Sequence, residues 1–165
     1  LPSELNDSLE VIPFATDELA LVLPTNHPLA KSKELTKEDL YSLGFITLDT
    51  QSTTRKVLDQ LLSSSGLDVQ RLQIEMELNS LEAIKNAVQS ELGAAFLPVV
   101  SIERELAGGS IHRPIVADLE VKRELKVITN PGRYSSRAAE AFTENILPLF
   151  ASSFSPLFKP MTRTV

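Results

Sequence analysis

Cysteine is absent from the 165 residues, which excludes disulfides, thiolate metal sites and cysteine nucleophiles and agrees with a cytoplasmic protein. Histidine is scarce: His27 precedes Pro28 in a turn-like segment and His112 lies in a strand-like one. Without a His-x-x-x-His or Glu-x-x-His spacing, no metal site is expected. No apolar run approaches the roughly 18 residues of a membrane-spanning helix, so no membrane partner is expected. The Gly-x-Ser-x-Gly elbow, the P-loop and the Gly-x-Gly-x-x-Gly turn are all missing. With no catalytic constellation, neither an enzyme nor a cofactor is expected. A basic stripe is missing too. Sixteen basic against twenty-two acidic residues give a net charge of −6, and the densest basic clusters are Arg55-Lys56 and Lys122-Arg123. A nucleic-acid-binding module carries such a stripe, so these residues are not expected to bind DNA directly. The opening Leu1-Pro2-Ser3-Glu4 has neither an initiating methionine nor a basic stretch followed by an apolar core. The chain is therefore expected to be a fragment, from which a leader could have been cut.

What is present is an alternation of strand and helix signals. Glu18 to Leu23 reads as a buried strand stopped by Pro24. Thr36 caps a helix start with acids in its first turn. Phe45 to Leu48 is a short strand, followed by a polar loop from Asp49 to Thr53. A helix then runs to about Ser65, with Val57, Leu58, Leu61 and Leu62 on one face and Gly66 at its end. Leu72, Ile74, Met76 and Leu78 alternate with polar residues, as in a half-buried strand. Asn79 and Glu82 have capping-box spacing before a helix with Leu81, Ile84, Val88 and Leu92 on one face, closed by Gly93. Ala94 to Leu97 is a further strand. Pro98 suits the first position of the next helix, which ends near Gly108-Gly109. Ile111–Val116 and Glu120–Thr129 read as strands and Asn130-Pro131-Gly132 as a turn. A helix from Ser135 to about Leu147 places Ala138, Ala139, Phe142 and Ile146 on one face, and Pro148 ends or kinks it. The tail from Ala151 is rich in Ser and Pro and is expected to be poorly ordered.

Repeated βα units imply a largely parallel sheet with helices on both faces. In such sheets ligands bind beyond the carboxyl ends of the strands, beside helix N-termini. Two junctions fit: Leu48-Asp49-Thr50-Gln51-Ser52-Thr53-Thr54 and Leu78-Asn79-Ser80-Leu81. A helix N-terminus carries roughly +0.5 of a charge and suits carboxylate or phosphate. Thr50, Gln51, Ser52, Thr53 and Thr54 offer donors there, although Ser52 or Thr53 capping the helix explains the same residues. Arg55 adds charge or is simply solvated. Asn79 and Ser80 form the second junction, where capping again competes with a ligand role. Phe96, Leu97 and Pro98 end a strand near the same edge, as core residues or as ligand contacts. Arg133 is read as a surface residue.

At these junctions the chain resembles the effector-binding domain of LysR-type transcriptional regulators, an α/β domain of the type 2 periplasmic-binding-protein fold. The matching stretches are DELALVLPTNHPLA (17–30), GFITLDTQSTTRKVLDQLL (44–62), IEMELNSLEAIKNAVQSELGAAFLP (74–98) and RELKVITNPGRYSSRAAEAF (123–142). LDTQST-x-RKV and EMELNS-x-EAIKNAVQS-x-LGAAF are similar, more narrowly, to the branch that regulates carbon fixation in cyanobacteria and plastids, including Rubisco-operon and bicarbonate-transporter regulators.

The resemblance implies a Rossmann-like subdomain II, nearly complete, plus the C-terminal part of subdomain I. Residues 1–16 end the first half of subdomain I, 17–123 are subdomain II, 124–150 are the return strand and helix of subdomain I, and 151–165 are a flexible tail. It implies a small anionic effector held between the subdomains at Thr50–Thr54, Asn79, Ser80, Leu97 and Pro98. Ribulose bisphosphate, 2-phosphoglycolate, 2-oxoglutarate and NADPH are the candidates. DNA would be bound only through an N-terminal winged helix-turn-helix that this sequence lacks. The full-length protein would be a cytoplasmic homodimer or homotetramer, with the helix at 53–65 contributing to subunit pairing. A transporter's solute-binding protein of the same fold is the rival reading, and an enzyme of that fold, such as a deaminase, a second.

Overall fold

The computed structural model describes residues 9–130, 132, 135–148 and 159–160. The chain falls into two compact units. One is Glu18–Lys122; the other joins the flanking stretches Leu1–Asp17 and Arg123–Val165.

Strand β1 (Glu10–Pro24) is 15 residues long and passes straight through the acidic pair Asp17-Glu18, where the sequence suggests a boundary. Both charges are met: Arg123 holds Asp17 and Arg113 holds Glu18, so nothing forces the strand to end. In Glu18–Lys122, β1 pairs antiparallel with β4 (Ala95–Pro98), Leu19 facing Pro98 and Val22 facing Ala95. Strands β2 (Gly44–Leu48) and β3 (Gln73–Leu78) pair in parallel. A parallel bridge between Phe45 and Ala94 joins β2 to β4's approach. The sheet is therefore mixed rather than purely parallel, because β1 runs against β4.

Period-two alternation along these strands divides the core into two clusters, one on each face. Leu19, Leu21, Leu23, Phe45 and Phe96 pack with Leu40 of α1 (Lys37–Leu40) and Leu62 of α2 (Thr53–Ser64). Val22, Ile46, Ala95 and Leu97 pack with Ile84 and Val88 of α3 (Leu81–Gln89) and Ile102 before α4 (Glu103–Ala107). Helices thus cover both faces, as the βα pattern predicts. The Phe45 and Phe96 rings stack 5.7 Å apart.

Several local expectations change. Val57 is exposed, as are Ile74 and Leu92, and Leu92 lies beyond the last residue of α3. Helix α3 ends at Gln89 and not at Gly93. Glu91 takes the left-handed conformation instead, while the Glu91 and Leu92 N–H groups donate to the Val88 and Ala87 carbonyls, each at 3.0 Å. Gly93 serves a close approach: a Cβ there would lie 2.7 Å from the Gly44 carbonyl oxygen. Pro98 closes β4, and a 3-10 turn, Val99–Ser101, separates it from α4. The strand expected over 111–116 shrinks to β5 (Ile111–His112). Pro114 cannot donate to a ladder. Beyond it Ile115 and Ala117 bond Leu35 instead, at 2.8 Å on each side.

In the flanking unit, β6 (Val121–Thr129) pairs with β1. Ser136 caps α5 (Arg137–Ala141), which continues as a π-helical turn, Phe142–Ile146. Of the apolar face expected there, Ala138 and Ala139 lie open and Phe142 is 49 % exposed, while the Ile146 side chain lies outside what is described. In the 130–132 turn, Gly132 N–H donates to Asn130 Oδ1 at 3.0 Å. Arg133 lies outside the described residues. So does the expected tail from Ala151, apart from β7 (Lys159–Pro160), which pairs with Ala15 and Thr16.

Candidate functional site

The parallel pairing decides where the two junctions lie. Leu48 faces Leu78 in the ladder, and the Asp49 N–H donates to the Leu78 carbonyl at 3.1 Å. The ends of β2 and β3 are therefore adjacent, and the starts of α2 and α3 leave from one edge of the sheet. Strand β4 runs parallel to β2 through the Phe45–Ala94 bridge, so Leu97 and Pro98 end at that edge too. The structure thus brings together all the stretches singled out from the sequence.

Their roles differ. At the first junction Asp49 Oδ1 accepts from the Gln51 N–H at 2.9 Å and forms a tight Asx turn. Ser52 is the cap of α2: its Oγ accepts from the Arg55 N–H at 3.4 Å. Thr50, Gln51, Thr53 and Thr54 are exposed. Thr53 and Thr54 occupy the first two helical positions, whose N–H groups have no acceptor within a helix. Open hydroxyls and amides therefore stand beside two outward-pointing backbone donors.

At the second junction the cap moves by one residue. Ser80, not Asn79, accepts from the Ala83 N–H at 3.1 Å. The sequence spacing favours Asn79 because Glu82 stands three residues on, but β3 pairs through Leu78 and leaves Asn79 as the bend that turns the chain. Asn79 is exposed, with its amide at the edge. Leu97 is fully buried and Pro98 is buried, so these two shape the edge from below.

Arg55 departs from the solvated reading. Its side chain is 12 % exposed. Nε donates to both Asp59 carboxylate oxygens at 2.9 and 2.8 Å, Nη1 donates to the Leu48 carbonyl at 3.1 Å, and Glu77 lies 3.8 Å away. The guanidinium ties α2 to the ends of β2 and β3, with its charge already matched by two carboxylates. It acts as a brace under the junction, leaving any anion to the backbone and hydroxyl donors above. The i,i+4 spacing to Asp59 was readable, whereas Leu48 and Glu77 come from the fold.

A groove of about 700 Å³ opens elsewhere in Glu18–Lys122, lined by Glu18, Leu21, Phe96, Arg113, Ile115 and Val116 among others. None of Thr50–Thr54, Asn79 or Ser80 lines it. Its concavity follows from the segment after β5 leaving the sheet for Leu35, whereas the junction edge has the convergent donors. Among the described residues, no cluster of His, Cys, Asp and Glu could hold a metal ion, and no helix is long and apolar enough to cross a membrane.

This architecture has known counterparts. The chain is 58 % identical over 152 residues to a probable RuBisCO transcriptional regulator of Trichormus variabilis, covering 92 % of this chain and 45 % of that protein. It is 55 % identical to the protein of that description from Porphyra purpurea, with 92 % and 48 % covered. The chain spans about half the length of these relatives. Among solved structures, the regulatory domain of Synechocystis CcmR in complex with 2-PG superposes with a TM-score of 0.75 at 24 % identity, covering 90 % of this chain and 69 % of that one. The effector-binding domain of QuiR in complex with shikimate gives 0.72 at 22 %, covering 92 % and 70 %. At such identities the likeness carries the fold alone, which is the periplasmic-binding-protein-like α/β fold. The LysR substrate-binding-domain model matches residues 1–151, and the chain belongs to that family.

Proposed function

We propose that the chain is the effector-sensing domain of a LysR-type DNA-binding transcriptional regulator of carbon-fixation or inorganic-carbon-uptake genes. The observation that carries this is the high identity to probable RuBisCO transcriptional regulators over nearly the whole chain. The effector is a small anionic metabolite bound where α2 and α3 leave the sheet edge, at Thr50–Thr54, Asn79 and Ser80, with Leu97 and Pro98 beneath. Helix N-termini favour anions at short range whatever the net charge. Of the four candidates, 2-phosphoglycolate has the added support of the CcmR complex with 2-PG, a domain of similar fold.

Residues 17–123 act as subdomain II, a reading supported by the compact unit Glu18–Lys122; 1–16 and 124–150 belong to subdomain I. The strands at 17–23 and 123–129 are the two crossings of a hinge. A ligand shifts such an equilibrium only by its differential affinity for the two orientations. The full-length protein works in the cytoplasm, without catalysis, as a homodimer or homotetramer whose pairing uses the helix at 53–65. It reaches DNA through a separate winged helix-turn-helix. A transporter's solute-binding protein is the weaker reading, because the relatives carry regulator names.

The test is calorimetric titration of ribulose bisphosphate, 2-phosphoglycolate, 2-oxoglutarate and NADPH into the full-length protein. The proposal expects saturable binding of at least one, with the ligand recovered unchanged. Turnover of the ligand, or no binding by any of the four, would contradict it.

A further inference from the structure

The groove lined by Leu21, Phe96, Arg113, Ile115 and Val116 lies wholly within Glu18–Lys122 and away from the starts of α2 and α3. At about 700 Å³ it falls in the range of small-molecule sites, roughly 300–1,000 Å³. Its origin is local. Strand β5 meets β1 at Leu23 and Pro24. Past Pro114 the chain turns to Leu35, whose N–H donates to the Ile115 carbonyl and whose carbonyl accepts from the Ala117 N–H, each at 2.8 Å. It returns to β1 with β6, and this detour shapes the groove. The base is apolar: Leu19, Leu21, Phe96 and Val121 line it and are buried. Ile115 lines it too, and at 65 % exposure it is the most open large apolar side chain among the described residues.

The rim is acidic. The carboxylates of Glu18, Glu34, Asp118 and Glu120 line the groove against one cation, Arg113. Two of them are matched within the chain, Glu18 by Arg113 and Glu120 by Lys122. The exposed carboxylates of Glu34 and Asp118 have no hydrogen-bond or ion-pair partner among the described residues. Lys37, beside the rim, gives its ammonium to the Ser65 carbonyl at 2.7 Å. The Leu35 bridge sets both free carboxylates along one wall, because Glu34 precedes Leu35 and Asp118 follows Ala117. A concavity with one sign of charge and apolar walls concentrates ligands of the opposite sign. It disfavours the small anions proposed for the sheet edge.

We propose that this groove is a second ligand site, for a small organic cation with an apolar body, of the class of aliphatic diamines. The ammonium groups meet Glu34 and Asp118, and the methylene chain covers Ile115 and the apolar base. Ligands of opposite charge then have separate places in Glu18–Lys122. The inference does not rest on the sensing role proposed above, and its test uses none of the four metabolites.

The test is calorimetric titration of 1,6-diaminohexane into the full-length protein at physiological salt. Saturable binding is expected, and weaker binding of hexylamine, which has one ammonium group. The variant Glu34→Gln, Asp118→Asn is expected to bind the diamine about tenfold more weakly, as two exposed ion pairs are lost. Asn suits position 118, where φ is 52°. Ile115→Ser is expected to weaken binding by removing the apolar wall. Glu75→Gln with Glu103→Gln removes two exposed carboxylates away from the groove and is expected to leave affinity unchanged. No saturable diamine binding would overturn the proposal, and so would equal affinity for the native protein and the Glu34→Gln, Asp118→Asn variant. An equal loss in the Glu75→Gln, Glu103→Gln control would do the same, since general attraction to an acidic protein would then explain the binding. Affinity that falls as protein concentration rises would assign the groove to a second copy of the chain and overturn it too. If the Glu34→Gln, Asp118→Asn variant unfolds at a lower temperature than the native protein, Ile115→Ser decides alone.

Discussion

Glu91 follows the capping residue of α3 with a φ of 62°, a conformation that costs a residue with a Cβ roughly 1–2 kcal/mol. Its Oε1 accepts from Asn26 Nδ2 at 2.8 Å, an exposed contact that offsets only part of that cost. Glu91→Gly is accordingly expected to raise stability by about 1 kcal/mol, read as a higher urea midpoint. A lower midpoint would show that the Asn26 contact outweighs the strain. The caps make a second pair of expectations. Ser80→Ala should cost about 1 kcal/mol while Asn79→Ala leaves stability unchanged, and the reverse order would restore the cap that the spacing suggests. Lys85 bridges Glu105 at 2.7 Å and Glu82 at 3.0 Å. Hydrogen bonds to Glu105 first and Glu82 second raise its pKa; the bond from Lys85 lowers that of Glu105. The Glu105 contribution is complete above the ordinary carboxylate value and lost as pH falls through its lowered one. The Lys85 contribution is complete below the ordinary lysine value and lost as pH rises through its raised one. The destabilisation by Lys85→Met should therefore be largest near neutrality and shrink below about pH 4; a gap constant across that range would contradict the pairing.

At the scale of elements, legibility followed the range of the interaction. Helices α2 and α3 and the period-two run of β3 were readable because caps and periodicity are local. So was the edge at which Thr50–Thr54 and Asn79–Ser80 emerge, since βα units place helix starts there. What escaped depends on distant partners. The length of β1 rests on Arg113 and Arg123, and the shortening of the 111–116 strand rests on Leu35. The Leu48 and Glu77 contacts of Arg55 came only with strand pairing, which turned a residue read as solvated into a brace. The role of Gly93 is equally non-local: it marks no helix end but lets the chain before β4 pass the Gly44 carbonyl, which it bonds through the Ala94 N–H at 2.8 Å. Gly93→Ala is expected to destabilise by about 2 kcal/mol or more, measured by thermal or urea unfolding. A neutral effect would mean that β2 and β4 separate freely.

At the scale of the whole molecule, the net charge of −6 and the absence of a basic stripe predict that residues 1–165 alone give no specific retardation of operator DNA at physiological salt. A specific complex would place DNA recognition within this chain. The central claim is that the edge holding the starts of α2 and α3 recognises a small anion, and calorimetry tests it most directly. 2-Phosphoglycolate would be titrated into the full-length protein and into its Ser52→Ala, Thr53→Ala variant. The account predicts saturable binding that weakens about tenfold, or 1.4 kcal/mol, in the variant, as hydroxyl donors and the ordered first turn are lost. Equal affinities in the two proteins would contradict it.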